Sequence, residues 1–104
     1  MNLPYIRGRS LEYAAKRKLE QSGFIVFRCA SSKPVDLVAV KQGLVMLVEC
    51  KTGLHPHISN GELAKTVTLA SKSGAKLILC FRRKFRQLRF YEVLPSLEKR
   101  DLSL

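Results

Sequence analysis

Acidic residues are scarce in this chain. Eight Asp and Glu stand against nineteen Lys and Arg, a formal charge of +11 on 104 residues. A small domain ordinarily carries a net charge of about 2–8. An excess of this sign and size excludes a cationic partner and points to a polyanion. A long basic amphipathic helix and a lipidation motif are both missing, so the polyanion is nucleic acid and no membrane partner is expected. Long apolar runs are missing as well. The longest are five residues, 44–48 and 77–81, far below the roughly 20 needed to cross a bilayer. Residues 1–6 have no apolar segment of signal-peptide type, so a cytoplasmic, intracellular location is expected. Cysteine is sparse and odd in number. Cys29, Cys50 and Cys80 have neither CxxC nor zinc-site spacing, which excludes a disulfide framework and predicts free thiols. Repeats, linkers and low-complexity stretches are absent. With 46% hydrophobic residues, the chain reads as one globular domain over 1–104, with 94–104 as a short tail.

What is present is organised around residues 35–51, two apolar strands joined by Gln42-Gly43. Gly supplies the positive φ of a two-residue hairpin loop. In that register Lys41 faces Leu44 and Val40 faces Val45, and Asp36 falls opposite Glu49. Directly paired residues share a face, and Lys51, two residues on, joins them. Two like charges in direct opposition are destabilising, unless a divalent cation lies between them. Hard cations such as Mg²⁺ take oxygen ligands, favouring one or two carboxylates plus phosphate. A lysine beside such a site can orient water and stabilise phosphate charge.

The rest of the chain frames this hairpin. Residues 1–9 read as an arm bearing Arg7 and Arg9, with Ser10 as a helix N-cap. Leu11, Ala14, Ala15 and Leu19 recur at helical spacing, and Gly23 marks the stop. Glu12 near the helix start is explained by the macrodipole alone. A first strand spans 24–29. The loop 30–34 carries Ser31, Ser32 and Lys33, and Pro34 introduces the hairpin. His55 and His57 flank a proline in the loop after Lys51, with no third soft ligand near, so they read as solvated. Ser59-Asn60-Gly61-Glu62 is a capping box. It opens a helix to about Ser73 whose core face is Leu63, Val67 and Ala70. Strands follow at 76–82 and 88–94, and Pro95 ends the sheet. Between them Arg82, Arg83, Lys84, Arg86 and Arg89 place five basic residues in eight positions. With Phe85, Phe90 and Tyr91 interleaved, they form a candidate DNA-groove wall. The order αβββαββ predicts an α/β domain with a mixed sheet covered by helices.

Asp36, twelve intervening residues, then Glu49-Cys50-Lys51 resembles the D…ExK core of the PD-(D/E)XK nuclease superfamily. The flanking segments Arg7-Gly8-Arg9-Ser10-Leu11-Glu12 and Gly23-Phe24-Ile25-Val26-Phe27-Arg28-Cys29-Ala30-Ser31-Ser32-Lys33 narrow this. They are similar to the archaeal Holliday junction resolvases of the Hjc/Hje type, over about residues 7–93. The resemblance implies a restriction-endonuclease-like fold and a crossover junction endodeoxyribonuclease. It implies Mg²⁺, with Mn²⁺ able to substitute, held by Asp36, Glu49, the Cys50 carbonyl and the helix-borne Glu12. Lys51 would position the water, and Ser32, in preference to Ser31, would assist cleavage. Arg28 matches an arginine that meets DNA. Arg7, Arg9, Lys33, Arg82, Arg83, Lys84 and Arg86 complete the expected DNA contacts. The family commonly has Arg directly after that Glu, where this chain has Tyr13. A four-way junction needs two cuts in symmetry-related strands, so a homodimer is expected. Its contact would use the second helix and tail residues Leu97, Leu102 and Leu104. Other recombination or repair proteins are expected partners. Two rivals remain at this point: another nuclease of the superfamily, cutting flaps, ends or duplex, and a non-catalytic DNA-binding module. Loss of the acidic pair or lysine would mark the module, and all three residues are present.

Overall fold

A six-stranded mixed sheet separates two helices. The computed structural model describes residues 3–30, 34–53, 57–83 and 86–104, with side chains from Arg9 onward in those segments. The elements are α1 (Leu3–Gln21), β1 (Ile25–Arg28), β2 (Leu37–Lys41), β3 (Leu44–Gly53), α2 (Asn60–Ser73), β4 (Lys76–Arg83), β5 (Arg89–Val93) and β6 (Lys99–Leu102). Spatial order follows chain order. Only β3 and β4 are parallel, with α2 as their crossover; the other neighbours are antiparallel.

Alternation along the strands assigns the two helices to opposite faces. Leu11, Ala15 and Leu19 of α1 pack with Val26, Leu37, Ala39, Met46, Val48, Ile78 and Cys80. Leu63, Val67 and Ala70 of α2 pack with Leu47, Leu77, Leu79 and Val93. The central strands β3 and β4 are therefore apolar on both sides, which explains their unbroken hydrophobic runs. The β2–β3 turn is built as expected. Gln42 and Gly43 both have positive φ, 46° and 84°, the signature of a type I′ hairpin. The second helix also starts where its cap predicts: Ser59 Oγ accepts from the Glu62 N–H at 3.2 Å. Gly74 closes it at φ 71°. Among the described residues, no helix is long and apolar enough to cross a membrane.

Two expectations fail. First, α1 begins at Leu3, so residues 3–9 are helical, not an arm, and Ser10 is interior. Pro4 in the first turn, where its missing N–H costs nothing, was the true start signal. Glu12 is consequently mid-helix, and the macrodipole account of it lapses. Second, the sheet does not end at Pro95. The chain turns through Leu94–Leu97, with Leu97 N–H donating to Leu94 O at 2.8 Å and Leu97 at φ 71°. It then returns as β6. The order is therefore αβββαβββ. β6 has no apolar alternation to announce it. Opposite charges pair it instead: Arg100 with Glu92 at 2.9 Å, and Asp101 with Arg89 at 2.9 Å. Leu102 and Leu104 pack, partly buried, against the α1-side core and Leu97 against the α2-side core.

Candidate functional site

The site is built at one end of the sheet. Arg28 ends β1, and Asp36 precedes β2. Glu49, Cys50 and Lys51 lie in the second half of β3, and Phe81–Arg83 end β4. The register ties them together: Arg28 pairs with Leu37, Leu37 with Val48, Lys51 with Phe81, and Phe81 with Arg89. Arg82 and Arg83 lie opposite Thr52 and Gly53, just beyond Lys51. Acidic and basic residues scattered over some sixty positions of sequence are thus carried by neighbouring strands at one end of the sheet.

Asp36 is not directly opposite Glu49, as the simple register predicts. The ladder stops at Leu37–Val48, and the Asp36 N–H donates to the Val48 carbonyl at 3.1 Å. Two residues of one strand then face one of the other, the count of a β-bulge. The alternation breaks at the same point: Val35 packs on the α2 side and Leu37 on the α1 side, although two residues apart. The displacement spares the two carboxylates a head-on opposition. Asp36 is 8% exposed, and its Oδ2 accepts the Cys50 N–H at 2.7 Å. It is thereby clamped to the peptide joining Glu49 to Cys50.

Glu49 points to the α2 side. It lines an open depression with Pro34, Ile58, Glu62, Thr66 and Leu69. Lys51 Nζ lies 4.0 Å from Glu62 Oε2, a half-exposed ion pair that holds the ammonium loosely. Glu12 approaches from the other face on α1. Its Oε1 accepts from Arg28 Nη2 at 3.3 Å, and Arg28 Nη1 donates to the Tyr13 hydroxyl at 3.0 Å. Cys50 sits between the two groups. A hydrogen bond with the Cys80 thiol, burial, and the charges on Asp36 and Glu12 all push its thiol pKa up. It is a neutral packing group, and its place in the site lies in its backbone. All three cysteines are free, with Cys80 buried and Cys29 and Cys50 half-buried.

Among the described residues, no three His, Cys, Asp or Glu side chains stand together as a metal-holding group. The donor set nevertheless suits a hard cation: carboxylates and carbonyls beside a fixed Asp36, with the nearby thiol held neutral. Arg9, Arg83 and Arg86 are exposed, and Arg82 is half-exposed. Arg89 is committed to Asp101. His57 is exposed, in keeping with a solvated role. Ser31, Ser32, Lys33, Lys84 and His55, and the side chain of Arg7, lie outside the described residues. Sequence reasoning missed Tyr13, Glu62 and Cys80 as partners of Arg28, Lys51 and Cys50. The first two pairings join distant elements and have no local signal. The third was legible only with the β3–β4 register in hand.

Residues 4–103 match the family model described as archaeal Holliday junction resolvase (Hjc). The chain belongs to this family. A curated relative, the crossover junction endodeoxyribonuclease Hjc of Methanocaldococcus jannaschii, is 37% identical over 84 residues, 79% of this chain and 63% of the relative. The chain thus spans somewhat less than two thirds of that relative's length. The solved structure of Archaeoglobus fulgidus Hjc, a Holliday junction resolvase from an archaeal hyperthermophile, aligns at a TM-score of 0.67 with 27% identity. That alignment covers 78% of this chain and 74% of the other. The mixed sheet and its two covering helices thus match the Hjc structure.

Proposed function

We propose that this Hjc-family chain is a divalent-cation-dependent, intracellular endonuclease that resolves four-way DNA junctions by paired nicks, acting as a homodimer. The observation that carries this reading is the gathering of Asp36, Glu49 and Lys51 with Arg28, Arg82 and Arg83 at one end of the sheet. Phosphate-binding cations and a hydrolytic constellation are needed in one place, and residues suited to each stand on neighbouring strand ends.

Asp36, Glu49 and the Cys50 carbonyl would hold the cation, Mg²⁺ or Mn²⁺ in its stead, with Glu12 completing the acidic shell. When bound, it supplies Lewis-acid stabilisation of charge building on the phosphate. The chain's own residues do the positioning. The Cys50 N–H fixes the Asp36 carboxylate. The Lys51 ammonium leaves its loose pairing with Glu62 to orient water for in-line attack on the phosphodiester. Arg28 and the basic end of β4 hold the flanking phosphates, with Arg7, Arg9, Lys33, Lys84 and Arg86 extending the path. Ser32, two residues before Pro34 in the sequence, assists cleavage.

The dimer reading rests on two cuts per junction and on an uncovered apolar face. Ile25 and Phe27 on the edge strand β1 are 64% and 58% exposed, and Leu69 of α2 is 38% exposed. By alternation with buried Val26, the two β1 side chains lie on the α2 side of the sheet, next to Val40 and Val38. A second copy would cover this face. The test is a labelled panel of four-way junction, flap and linear duplex, with and without Mg²⁺. Mg²⁺-dependent cleavage confined to the junction supports the reading. Equal cleavage of all three leaves a nuclease without junction selectivity, and no cleavage at all removes the enzyme.

A further inference from the structure

Tyr13 lies one residue beyond Glu12, and the mechanism above gives it no task. Two guanidinium groups converge on it. Arg28 stacks on the ring with its central carbon 4.3 Å from the centroid, and donates to the hydroxyl oxygen at 3.0 Å. Arg9, one helical turn earlier, places its own carbon 5.5 Å from the same centroid. The Arg9 hydrogen bond and the positive charge of Arg28 lower the phenol's pKa below the ordinary tyrosine range. Tyr13 is 37% exposed, so the cluster faces solvent.

The hydrogen-bond inventory of this cluster is lopsided. A phenol has one O–H to donate, and a guanidinium has five N–H donors and no acceptor. Arg28 gives one N–H to Tyr13 and one to Glu12. With its oxygen accepting from arginine, the Tyr13 hydroxyl keeps one O–H to donate. A partner for this arrangement must be an anion with several acceptor oxygens, within reach of the D…ExK end of the sheet. A phosphodiester meets those terms.

We propose that Tyr13 is a phosphate-contacting residue, its hydroxyl and the guanidiniums of Arg9 and Arg28 together cradling one backbone phosphate of the DNA. The inference deepens the nuclease reading and rests on it for the identity of the anion. The ring holds the two arginines in place by cation–π contact, and the hydroxyl adds a directed hydrogen bond. The site is specific to a phosphate adjoining Glu12, and so fixes the register of the strand against the hairpin without reading its sequence.

The test is Tyr13→Phe, which keeps the ring and its stacking and removes only the hydroxyl. Binding is measured to a four-way junction and to linear duplex, each carrying single methylphosphonate replacements near the cut. With wild-type protein, one replacement should weaken binding by about tenfold, the low end for a hydrogen bond to a charged group. Tyr13→Phe should bind unmodified DNA about tenfold more weakly and show a smaller loss than wild type at that one position, the remainder being the Arg9 and Arg28 contacts to the same phosphate. Its salt slope should stay unchanged because no charge is removed, whereas Arg28→Gln should reduce the slope by about one. Wild-type affinity in Tyr13→Phe overturns the proposal. A loss of affinity with an unaltered methylphosphonate profile also overturns it, since that outcome belongs to a structural role. If wild type neither prefers nor cuts the junction, the resolvase reading fails. The same comparison on linear duplex then still decides the phosphate contact.

Discussion

Replacing Asp36 separates its two tasks. The carboxylate accepts the Cys50 N–H at 2.7 Å and is 8% exposed. A charge-assisted hydrogen bond in such a place contributes about 1.5–3 kcal/mol, and an orphaned buried N–H costs about 1–3 kcal/mol. Asp36→Ala removes the acceptor and should destabilise the protein by about 2 kcal/mol. Asp36→Asn retains an oxygen that can accept the same bond and should cost only about 0.5–1 kcal/mol. Both variants also remove a negative charge near Glu12 and Glu49. That relief is common to the pair, so the difference between them isolates the hydrogen bond. For a domain of this size, 1 kcal/mol shifts Tm by about 4–8 °C, which puts the alanine variant roughly 10 °C below wild type. Urea unfolding with an unchanged m-value measures the difference. An alanine variant within about 0.5 kcal/mol of wild type would refute the clamp. So would an asparagine variant as unstable as the alanine one. Mg²⁺-dependent cleavage should be lost in both, and a cleaving Asp36→Asn removes Asp36 from the cation site.

Neutralising Arg83 and Arg86 together should flatten the salt dependence of DNA binding, lowering the slope of log K against log salt by about 1.8; a binding titration with no slope change removes this segment from the interface. Cys50 and Cys80 should resist alkylation at pH 8 in the folded protein, because the Cys50 thiol is pushed above its ordinary range and stays protonated. Both should react in urea, and mass spectrometry after timed labelling reads the order. Phe27→Glu should leave a folded monomer, because the side chain is already 58% exposed; light scattering that finds an intact dimer in this variant places the contact elsewhere.

Much of the fold was legible because local chemistry agreed with tertiary structure. Gln42-Gly43 determined the hairpin loop, and Ser59 with Glu62 located the start of α2. The doubly apolar runs of β3 and β4 required cover on both faces. The failures have physical causes. Gly8 and Ser10 look like a helix boundary, yet neither forbids helix, and the burial of Leu11, Ala15 and Leu19 carries the element through them. β6 is held by cross-strand charge pairs and has no period-two apolar signal to read. The site was legible in its residues and less so in its geometry. A period-two register brought Asp36 near Glu49, but one bulge residue moved the carboxylate onto the Cys50 amide. The Glu12–Arg28–Tyr13 group depends on where α1 crosses the end of β1, which no spacing in the sequence encodes.

A supercoiled plasmid bearing an extruded cruciform separates paired cutting by two copies of this chain from independent nicking, since two nicks within one binding event linearise the circle and a single nick only relaxes it. With Mg²⁺ present, linear product should appear without prior accumulation of nicked circle, and a plasmid lacking the cruciform should stay supercoiled. Nicked circle as the sole product, or equal cutting of both plasmids, would overturn the proposed resolvase dimer.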